Sequence, residues 1–399
     1  MPIFIGVDVG TSSVRCCAID EHRTVLGNSR RDLPLPDRQG NKISQHPDIW
    51  YLAMMQALDD LFSQINPQDI ARLTIDGTSS TLLLCQPDGT PLTTGLMYND
   101  SRAVAQLRAI NRVAPEDNPT RSASSSLAKL LHLLEREKTR PVVACHQADW
   151  LIGKLTGVFT ASDENNALKL GYDCLRRQWP DWLSTLALPE NCLPKVFPAG
   201  TPLAKILPAY LARWNINPET IITTGTTDST AGFIATGANN TGTAVTSLGS
   251  TLVLKVLSDQ PVTAPAYGVY SHRLGDQWLV GGASNTGGAV LKQHFSSAQL
   301  QALSAQINPE ISSPLSYYPL PATGERFPIN DPTMQSSVDP RPASDVEFLH
   351  GLLQGIANIE QQGYALLADL GAPYPLQVMS VGGGAKNKVW GNIRNKLLG

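Results

Sequence analysis

The sequence has no excess of charge of either sign and no apolar run long enough to cross a bilayer. Lysine and arginine total 31 against 34 aspartates and glutamates, a net charge of −3 over 399 residues. Bulk electrostatics therefore offers no attraction to nucleic acid or an anionic membrane, and a small-molecule ligand is the simpler expectation. The amino terminus shows neither a basic segment nor a short apolar core ahead of a cleavage site, so we expect a cytoplasmic protein. Its oligomeric state is left open.

Cysteine and histidine are too scattered to predict a disulfide framework or a transition-metal centre. None of the six cysteines has CxxC spacing, so we expect them to be reduced and mostly buried. The seven histidines show no HExxH or similar spacing, and no ligand cluster for a catalytic transition metal is predicted.

The common nucleotide and hydrolase motifs are also missing. Gly153-Lys154 is followed by Leu155 and lacks the upstream glycine of a Walker A loop, which disfavours a P-loop kinase. Gly382-x-Gly384 has Asn387 where a Rossmann fingerprint places its third glycine, which disfavours a dehydrogenase. The absence of Gly-x-Ser-x-Gly weakens a hydrolase interpretation.

The chain alternates between strand and helix patterns, which indicates an α/β protein. Its length predicts two to three domains, and 42% apolar residues are enough for real cores. A connector rich in Gly and Asn, 237–242, marks the start of a new domain. A helix is predicted over 48–65, with an Asp48 cap and a core face that includes Leu52, Met55, Leu58, Phe62 and Ile65. Further helices are predicted over 126–137, 147–155, 343–370 and 388–398. A strand is predicted over 377–381 and a surface loop over 314–342.

Two β-hairpins carry a turn of glycine and hydroxyl residues. The first turn is Gly10-Thr11-Ser12-Ser13, and the second is Gly249-Ser250-Thr251. Such turns can aim backbone N–H groups and hydroxyls at phosphate oxygens, because glycine adopts the required dihedrals and leaves room for close approach. Either hairpin alone is more simply an ordinary tight turn, but two in the same setting predict a nucleotide held between two halves.

Asp228 is the candidate general base. It follows an apolar strand, Ile221-Ile222-Thr223, and stands among small residues that let a ligand come close. An aspartate is ionised at neutral pH, so it can accept a proton from a sugar hydroxyl as that oxygen attacks phosphorus. The alternative is that Asp228 caps the helix that follows it.

Asp8 is the candidate magnesium ligand. It ends the first strand immediately before the turn, where a carboxylate can hold magnesium directly or through water beside the phosphates. The alternative is a turn residue that bonds its own backbone.

A triple glycine follows the strand predicted over 377–381. Gly382, Gly383 and Gly384 would let a flat ring lie against bare backbone, with Asn387 bonding the base or ribose and Trp390 walling the pocket. The alternative is a helix-entry loop with Trp390 in the core.

Taken together, the motifs resemble those of FGGY carbohydrate kinases, and the match spans nearly the whole chain. The motifs stand in the family's order: Asp8-x-Gly10-Thr11-Ser12, Tyr98-Asn99-Asp100-Ser101-Arg102, Asp149-Trp150-Leu151 through Lys154-Leu155-Thr156-Gly157, Gly225-Thr226-Thr227-Asp228, Ser247-Leu248-Gly249-Ser250-Thr251, and Gly382-Gly383-Gly384-Ala385-Lys386-Asn387. The resemblance implies two actin-like (ribonuclease H-like) α/β domains flanking a deep cleft for ATP and sugar. It places the sugar- and phosphate-binding domain at 1–236 and the nucleotide-binding domain at 237–399.

The resemblance also implies roles for particular residues. Asp228 would be the base, Asp8 and Thr11 would serve magnesium and phosphate, and Gly383, Gly384 and Asn387 would serve adenosine. Ser79 would meet the sugar alongside Asp8 and Asp228. Asp100 and Arg102 match the family's Trp-x-Asp-x-Arg pattern, and would either contact sugar or brace the cleft.

The segment Asp76-Gly77-Thr78-Ser79-Ser80 and the compact length resemble the short D-ribulokinase-like branch, sometimes called xylulose kinase-like. D-ribulose is therefore the first expected substrate, phosphorylated at its terminal hydroxyl, with D-xylulose or another sugar or polyol as the alternative. An actin- or Hsp70-like ATPase and a silent sugar sensor are the expectations from other classes. Family members usually continue into a further strand and helix, so we expect this form to lack them.

Overall fold

The computed structural model describes residues 1–399 and divides into two compact units, Met1–Gly232 and Phe233–Gly399. All six cysteines are unpaired, and five of them are buried. No helix is both long and apolar enough to cross a membrane.

The first unit is built on fourteen strands and seven helices, the last of which contains the division between the units. The strands are β1 (Ile3–Val9), β2 (Ser13–Ile19), β3 (Val25–Asp32), β4 (Asp37–Gln39), β5 (Lys42–Gln45), β6 (Ile70–Gly77), β7 (Leu82–Cys85), β8 (Gly95–Leu96), β9 (Val143–His146), β10 (Ala161–Asp163), β11 (Lys195–Phe197), β12 (Pro202–Lys205), β13 (Ile221–Thr223) and β14 (Thr226–Thr227). The helices are α1 (Pro47–Phe62), α2 (Leu107–Val113), α3 (Ser126–Arg136), α4 (Gln147–Thr156), α5 (Glu164–Ala167), α6 (Pro208–Trp214) and α7 (Asp228–Ile234).

The central sheet of this unit has the strand order β12-β13-β6-β1-β2-β3, and β14 also pairs with β6. Strand β1 is antiparallel to β2 and parallel to β6, while β13 and β14 are both parallel to β6. Because parallel strands end at the same edge of a sheet, the carboxyl ends of β1, β6 and β14 lie side by side. A second sheet, β4-β5-β8-β7-β9, and the pair β10-β11 complete the unit.

Helix α1 differs in two details from the sequence expectation. The His46 side chain accepts the Asp48 amide at 3.3 Å, so Asp48 lies in the first turn and does not cap the helix. Of the residues predicted to face the core, Met55, Leu58 and Phe62 are buried, but Leu52 is 58% exposed. The apolar repeat therefore located the helix and most of its buried face, which packs against β2 and β3.

The second unit contains five strands and four helices. The strands are β15 (Thr243–Leu248), β16 (Leu252–Ser258), β17 (Tyr270–Leu274), β18 (Gln277–Ser284) and β19 (Gln377–Val381). The helices are α8 (Gly288–His294), α9 (Ser297–Ser304), α10 (Asp345–Asp369) and α11 (Lys388–Leu398).

The two units repeat one strand arrangement. The second sheet has the order β17-β18-β16-β15-β19, with β15 antiparallel to β16 and parallel to β19. Strands β18, β16, β15 and β19 therefore correspond to β3, β2, β1 and β6 of the first unit. This duplication confirms the two-domain α/β fold expected from the motifs.

The segment 314–342 was predicted to be a surface loop, and this is wrong for several of its side chains. Tyr317 is 5% exposed, Phe327 1% and Glu325 2%. The Glu325 carboxylate accepts the Ser284 hydroxyl at 2.5 Å and the Asn285 amide at 2.8 Å. The segment forms no regular helix or long strand, and its buried aromatic side chains and individual polar contacts hold it against the core of the second unit.

Candidate active site

The first hairpin presents Asp8 and two of its hydroxyl residues at the edge of the sheet. Asp8 and Arg15 are paired across the hairpin, and their Oδ2 and Nη1 atoms lie 3.1 Å apart. The Gly10 amide donates to the Ser13 carbonyl at 3.1 Å, which closes the turn. Thr11 is partly exposed and Ser12 exposed. Ser13 does not fit its predicted phosphate role, because its hydroxyl is buried.

A third carboxyl group, Asp76, joins Asp8 and Asp228. The register pairs Asp8 with Asp76 across β1 and β6, and Asp76 with Thr226 across β6 and β14. Burial raises the pKa of Asp76 well above its usual value, and the negative charges of Asp8 and Asp228 raise it further. Asp76 begins the segment Asp76-Gly77-Thr78-Ser79-Ser80, but no local sequence pattern assigned it a role.

Asp228 begins α7 directly after β14. Its Oδ1 accepts the Ser229 amide at 2.6 Å, so one carboxylate oxygen is oriented by the backbone. The chain reaches this point through Gly225, where a Cβ would overlap the Ile75 carbonyl oxygen. Glycine at 225 is therefore what lets β14 approach β6 closely enough to bring Asp228 beside Asp76. The role of Asp228 as general base stays a prediction.

Replacing Asp76 with asparagine should change the pH dependence of stability. With its pKa raised, Asp76 keeps a proton in the folded state at pH values where the unfolded chain releases it. The unfolded state then binds fewer protons, so stability falls as pH rises above 3.8 toward the raised pKa. Asparagine is neutral at every pH, so Asp76→Asn should gain melting temperature relative to wild type from pH 4 to pH 8, measured by calorimetry with a chelator present. A difference that does not vary with pH would contradict the raised pKa.

The turn after β6 carries Ser79. Its neighbour Thr78 is fixed because its amide and hydroxyl both donate to Gln147 Oε1, at 3.0 and 2.8 Å. Ser80 has a φ of 69°, a left-handed conformation that is uncommon outside glycine. Ser79 itself is partly exposed, as its predicted contact with sugar requires.

For Asp100 and Arg102, the structure favours the bracing role. Asp100 is fully buried, and its Oδ2 accepts the Ile43 amide at 2.5 Å and the Arg102 Nε at 2.8 Å. Its Oδ1 accepts the Arg102 amide at 3.1 Å. Both carboxylate oxygens are thus engaged, and they hold the loop after β8 against Ile43 on β5.

In the second unit, the Gly249-Ser250-Thr251 turn rests on a segment that sequence reasoning missed. The Gly288 amide donates to the Gly249 carbonyl at 2.9 Å, and the Ala289 amide to the Ser250 carbonyl at 3.1 Å. A Cβ at Gly287, which has a φ of 138°, would collide with the backbone of Ser250 and Thr251. The pair Gly287-Gly288 is the signal that marks this close approach.

The triple glycine lies beside the same turn. A Cβ at Gly382 would meet the Leu248 carbonyl oxygen, and one at Gly384 would meet Leu248 and the Trp390 ring. These two glycines therefore bring the loop against the end of β15. Gly383 is exposed, with open space where a Cβ would lie, and its contact with adenosine stays a prediction.

Trp390 and Asn387 have structural partners. Trp390 is 1% exposed and donates its indole N–H to the Leu353 carbonyl at 3.1 Å, so it belongs to the core and does not wall a pocket as predicted. Asn387 caps α11 by accepting the Trp390 amide at 3.1 Å, and it donates to the Ser304 hydroxyl at 2.9 Å. Any contact of Asn387 with adenosine stays a prediction.

The carboxylates at and near Asp8 are the side chains that could bind magnesium. No group of three or more His, Cys, Asp or Glu side chains is arranged to hold a metal ion. Magnesium in phosphoryl-transfer sites, however, is bound by one or two carboxylates together with phosphate oxygens and water. The partly exposed Asp8 carboxylate fits that pattern, and the neighbouring Asp76 Oδ1 has no hydrogen-bond partner.

The repeated strand arrangement defines an α/β protein built from two similar units, with carboxylates at the ends of parallel strands in the first. The chain belongs to the FGGY family of carbohydrate kinases: the model of the family's N-terminal domain matches residues 3–235, and that of its C-terminal domain matches residues 244–399. It is therefore a phosphotransferase that acts on a carbohydrate and uses ATP.

Individual relatives cover nearly the whole chain. It is 23% identical to a xylulose kinase of Escherichia coli (strain K12) over 415 residues, which cover all of this chain and 85% of that protein. It is 24% identical to a xylulose kinase of Bacillus subtilis (strain 168), covering 98% and 82% of the two chains. A crystal structure described as a xyloylose kinase from Brucella ovis superposes with a TM-score of 0.88 at 22% identity, covering 99% and 85%. At that identity the structural match shows the shared fold.

Proposed function

We propose that the protein transfers the γ-phosphoryl group of ATP to the terminal hydroxyl of a ketopentose, with D-xylulose as the leading candidate. The two xylulose kinases it matches over nearly its full length favour D-xylulose over D-ribulose, the first expectation from sequence. D-ribulose remains the second candidate, because Asp76-Gly77-Thr78-Ser79-Ser80 resembles the ribulokinase-like branch.

The observation that carries the chemistry is the register that aligns Asp8, Asp76 and Thr226, with Asp228 two residues beyond. In the proposed reaction the sugar hydroxyl oxygen attacks the γ-phosphorus. A new oxygen–phosphorus bond forms, the bond to the ADP oxygen breaks, and the hydroxyl proton passes to the Asp228 carboxylate. Ser79 and Asp8 would orient the sugar.

The remaining roles concern phosphate and nucleotide. Thr11 and Ser12 in the first unit, and Gly249, Ser250 and Thr251 in the second, would donate backbone and hydroxyl hydrogen bonds to phosphate oxygens. Gly383, Gly384 and Asn387 would lie at the adenosine. Magnesium, when bound at Asp8, would neutralise charge on the phosphates.

A sugar panel tests the proposal. The protein is incubated with magnesium and ATP plus D-xylulose, D-ribulose, L-ribulose, ribitol or glycerol, and ADP release is compared with a control without sugar. We expect one pentulose to stimulate ADP release strongly, and phosphorus NMR to show a 5-phosphate monoester. Equal release with and without every sugar would overturn the proposal in favour of an ATPase or a sugar sensor.

A further inference from the structure

Lys129, on α3, is a lysine with 0% exposure, and no carboxylate is within salt-bridge distance of it. Lysine is almost never fully buried, because removing an ammonium from water is costly unless its donors are satisfied. Its Nζ donates to the carbonyl oxygens of Ser80 at 2.8 Å, Met97 at 2.7 Å and Tyr98 at 3.3 Å. An ammonium has three N–H donors, so these carbonyls match its capacity.

The three carbonyls belong to two separate segments. Ser80 follows Ser79 in the turn after β6 and holds its left-handed φ of 69°. Met97 and Tyr98 follow β8 and lead into the loop that Asp100 braces. Lys129 thus joins the Ser79 turn to the Tyr98 loop. Ser80 is 49 residues and Tyr98 is 31 residues from Lys129 in the sequence.

The buried surroundings of Lys129 disfavour its charged form. Burial lowers the pKa of Lys129 to about 7, the Asp100 carboxylate acts in the opposite direction, and Lys169 and Arg102 lower it further. An apolar side chain of the same length would fill the space without the free-energy cost of removing a charge from water. It would, however, leave three buried carbonyl oxygens without this donor. These carbonyl oxygens therefore require a hydrogen-bond donor, which Lys129 provides. One of the two segments that Lys129 joins contains Ser79, and the other contains the Tyr98–Arg102 motif.

We propose that Lys129 is a positioning residue for the acceptor sugar. By holding the Ser79 turn against the Tyr98 loop, its ammonium sets the affinity for the sugar and the choice among sugars, while phosphoryl transfer and ATP binding depend on other groups. This inference rests on the proposed function, since it takes Ser79 as a sugar contact.

Three variants test the inference: Lys129→Met, which keeps length without donors, Lys129→Gln, which keeps two amide donors, and Leu133→Ala as a control. Leu133 lies one turn further along α3, is 7% exposed and belongs to the hydrophobic cluster that also contains Leu130, so its truncation weakens packing without removing a donor to the three carbonyls. The measurements are KM for the preferred pentulose, KM for ATP, kcat and melting temperature.

We expect Lys129→Met to raise the sugar KM on the order of tenfold or more, since hydrogen bonds to a charged group are lost. Its ATP KM should stay within about twofold and kcat within about threefold, and the ratio of kcat/KM between D-xylulose and D-ribulose should change. Lys129→Gln should fall between wild type and Lys129→Met, which gives a second comparison if the methionine variant does not fold. Leu133→Ala should lower the melting temperature without raising the sugar KM relative to the ATP KM.

A sugar KM within twofold of wild type in both lysine variants, or equal rises in the sugar and ATP KM values, would overturn the positioning role. In both of these outcomes the wild-type protein phosphorylates a pentulose, so the proposed function stands. A wild-type protein that phosphorylates no sugar in the panel overturns the proposed function, and the assignment of Lys129 with it.

Discussion

Asp228→Asn should lower kcat by roughly 10²–10⁴-fold, the usual contribution of a positioned general base. Asparagine has almost the same shape, and its amide oxygen can still accept the Ser229 amide, which Asp228 Oδ1 accepts at 2.6 Å. What it loses is the ability to take a proton at neutral pH. The sugar hydroxyl must then attack without a base, while ATP binding should be nearly unchanged because no nucleotide contact is removed.

The measurement is steady-state ADP release with the preferred pentulose, together with ATP affinity by calorimetry. A matched control is Asp117→Asn, which makes the same chemical change at an exposed position between α2 and α3. The control should keep wild-type kcat. Turnover of Asp228→Asn within about threefold of wild type, with correct folding, would reject Asp228 as the base.

The sequence predicted best the features that depend on neighbours along the chain. Strand β19 and helix α11 have the predicted bounds, Gln377–Val381 and Lys388–Leu398, because alternating and helical apolar patterns are local. Asp8 and Asp228 were selected as candidates from the same local patterns, and their catalytic and metal-binding roles stay predictions. The glycine-hydroxyl turns needed only short sequence spacing to be recognised.

Features that depend on pairing between distant segments were not predictable in the same way. The place of Asp76 beside Asp8 follows from the register of β1 against β6, and these residues are far apart in the sequence. The burial of Trp390 likewise depends on Gly384 and Leu353, which approach it only in the folded unit. Exposure and register are tertiary properties, and local patterns constrain them weakly.

Arg394→Met should cost about 3–5 kcal/mol in the free energy of unfolding of the second unit, because it leaves a buried carboxylate without its partner. Arg394 is 3% exposed and Glu360 is fully buried. Their contact is bidentate, with Nε to Oε2 at 2.5 Å and Nη2 to Oε1 at 2.6 Å, and Nη1 also donates to the Ser380 hydroxyl at 2.6 Å. The pair fastens α11 to α10 and β19.

Urea unfolding of three variants separates the cost of an unpaired charge from the worth of the pair itself. Arg341→Met is the matched control, because Arg341 and Asp345 lie 2.7 Å apart but are about half exposed, so its loss should cost under about 1 kcal/mol. The double variant Glu360→Gln with Arg394→Met should be more stable than Arg394→Met alone, since no ionised group is then buried without a partner. If the single variant costs no more than the exposed control, the Arg394 pair does not hold α11 in place. The loop that ends at Asn387 would then owe its position beside β15 to its other contacts, including the pairing of β19 with β15 and the hydrogen bond from Asn387 to Ser304.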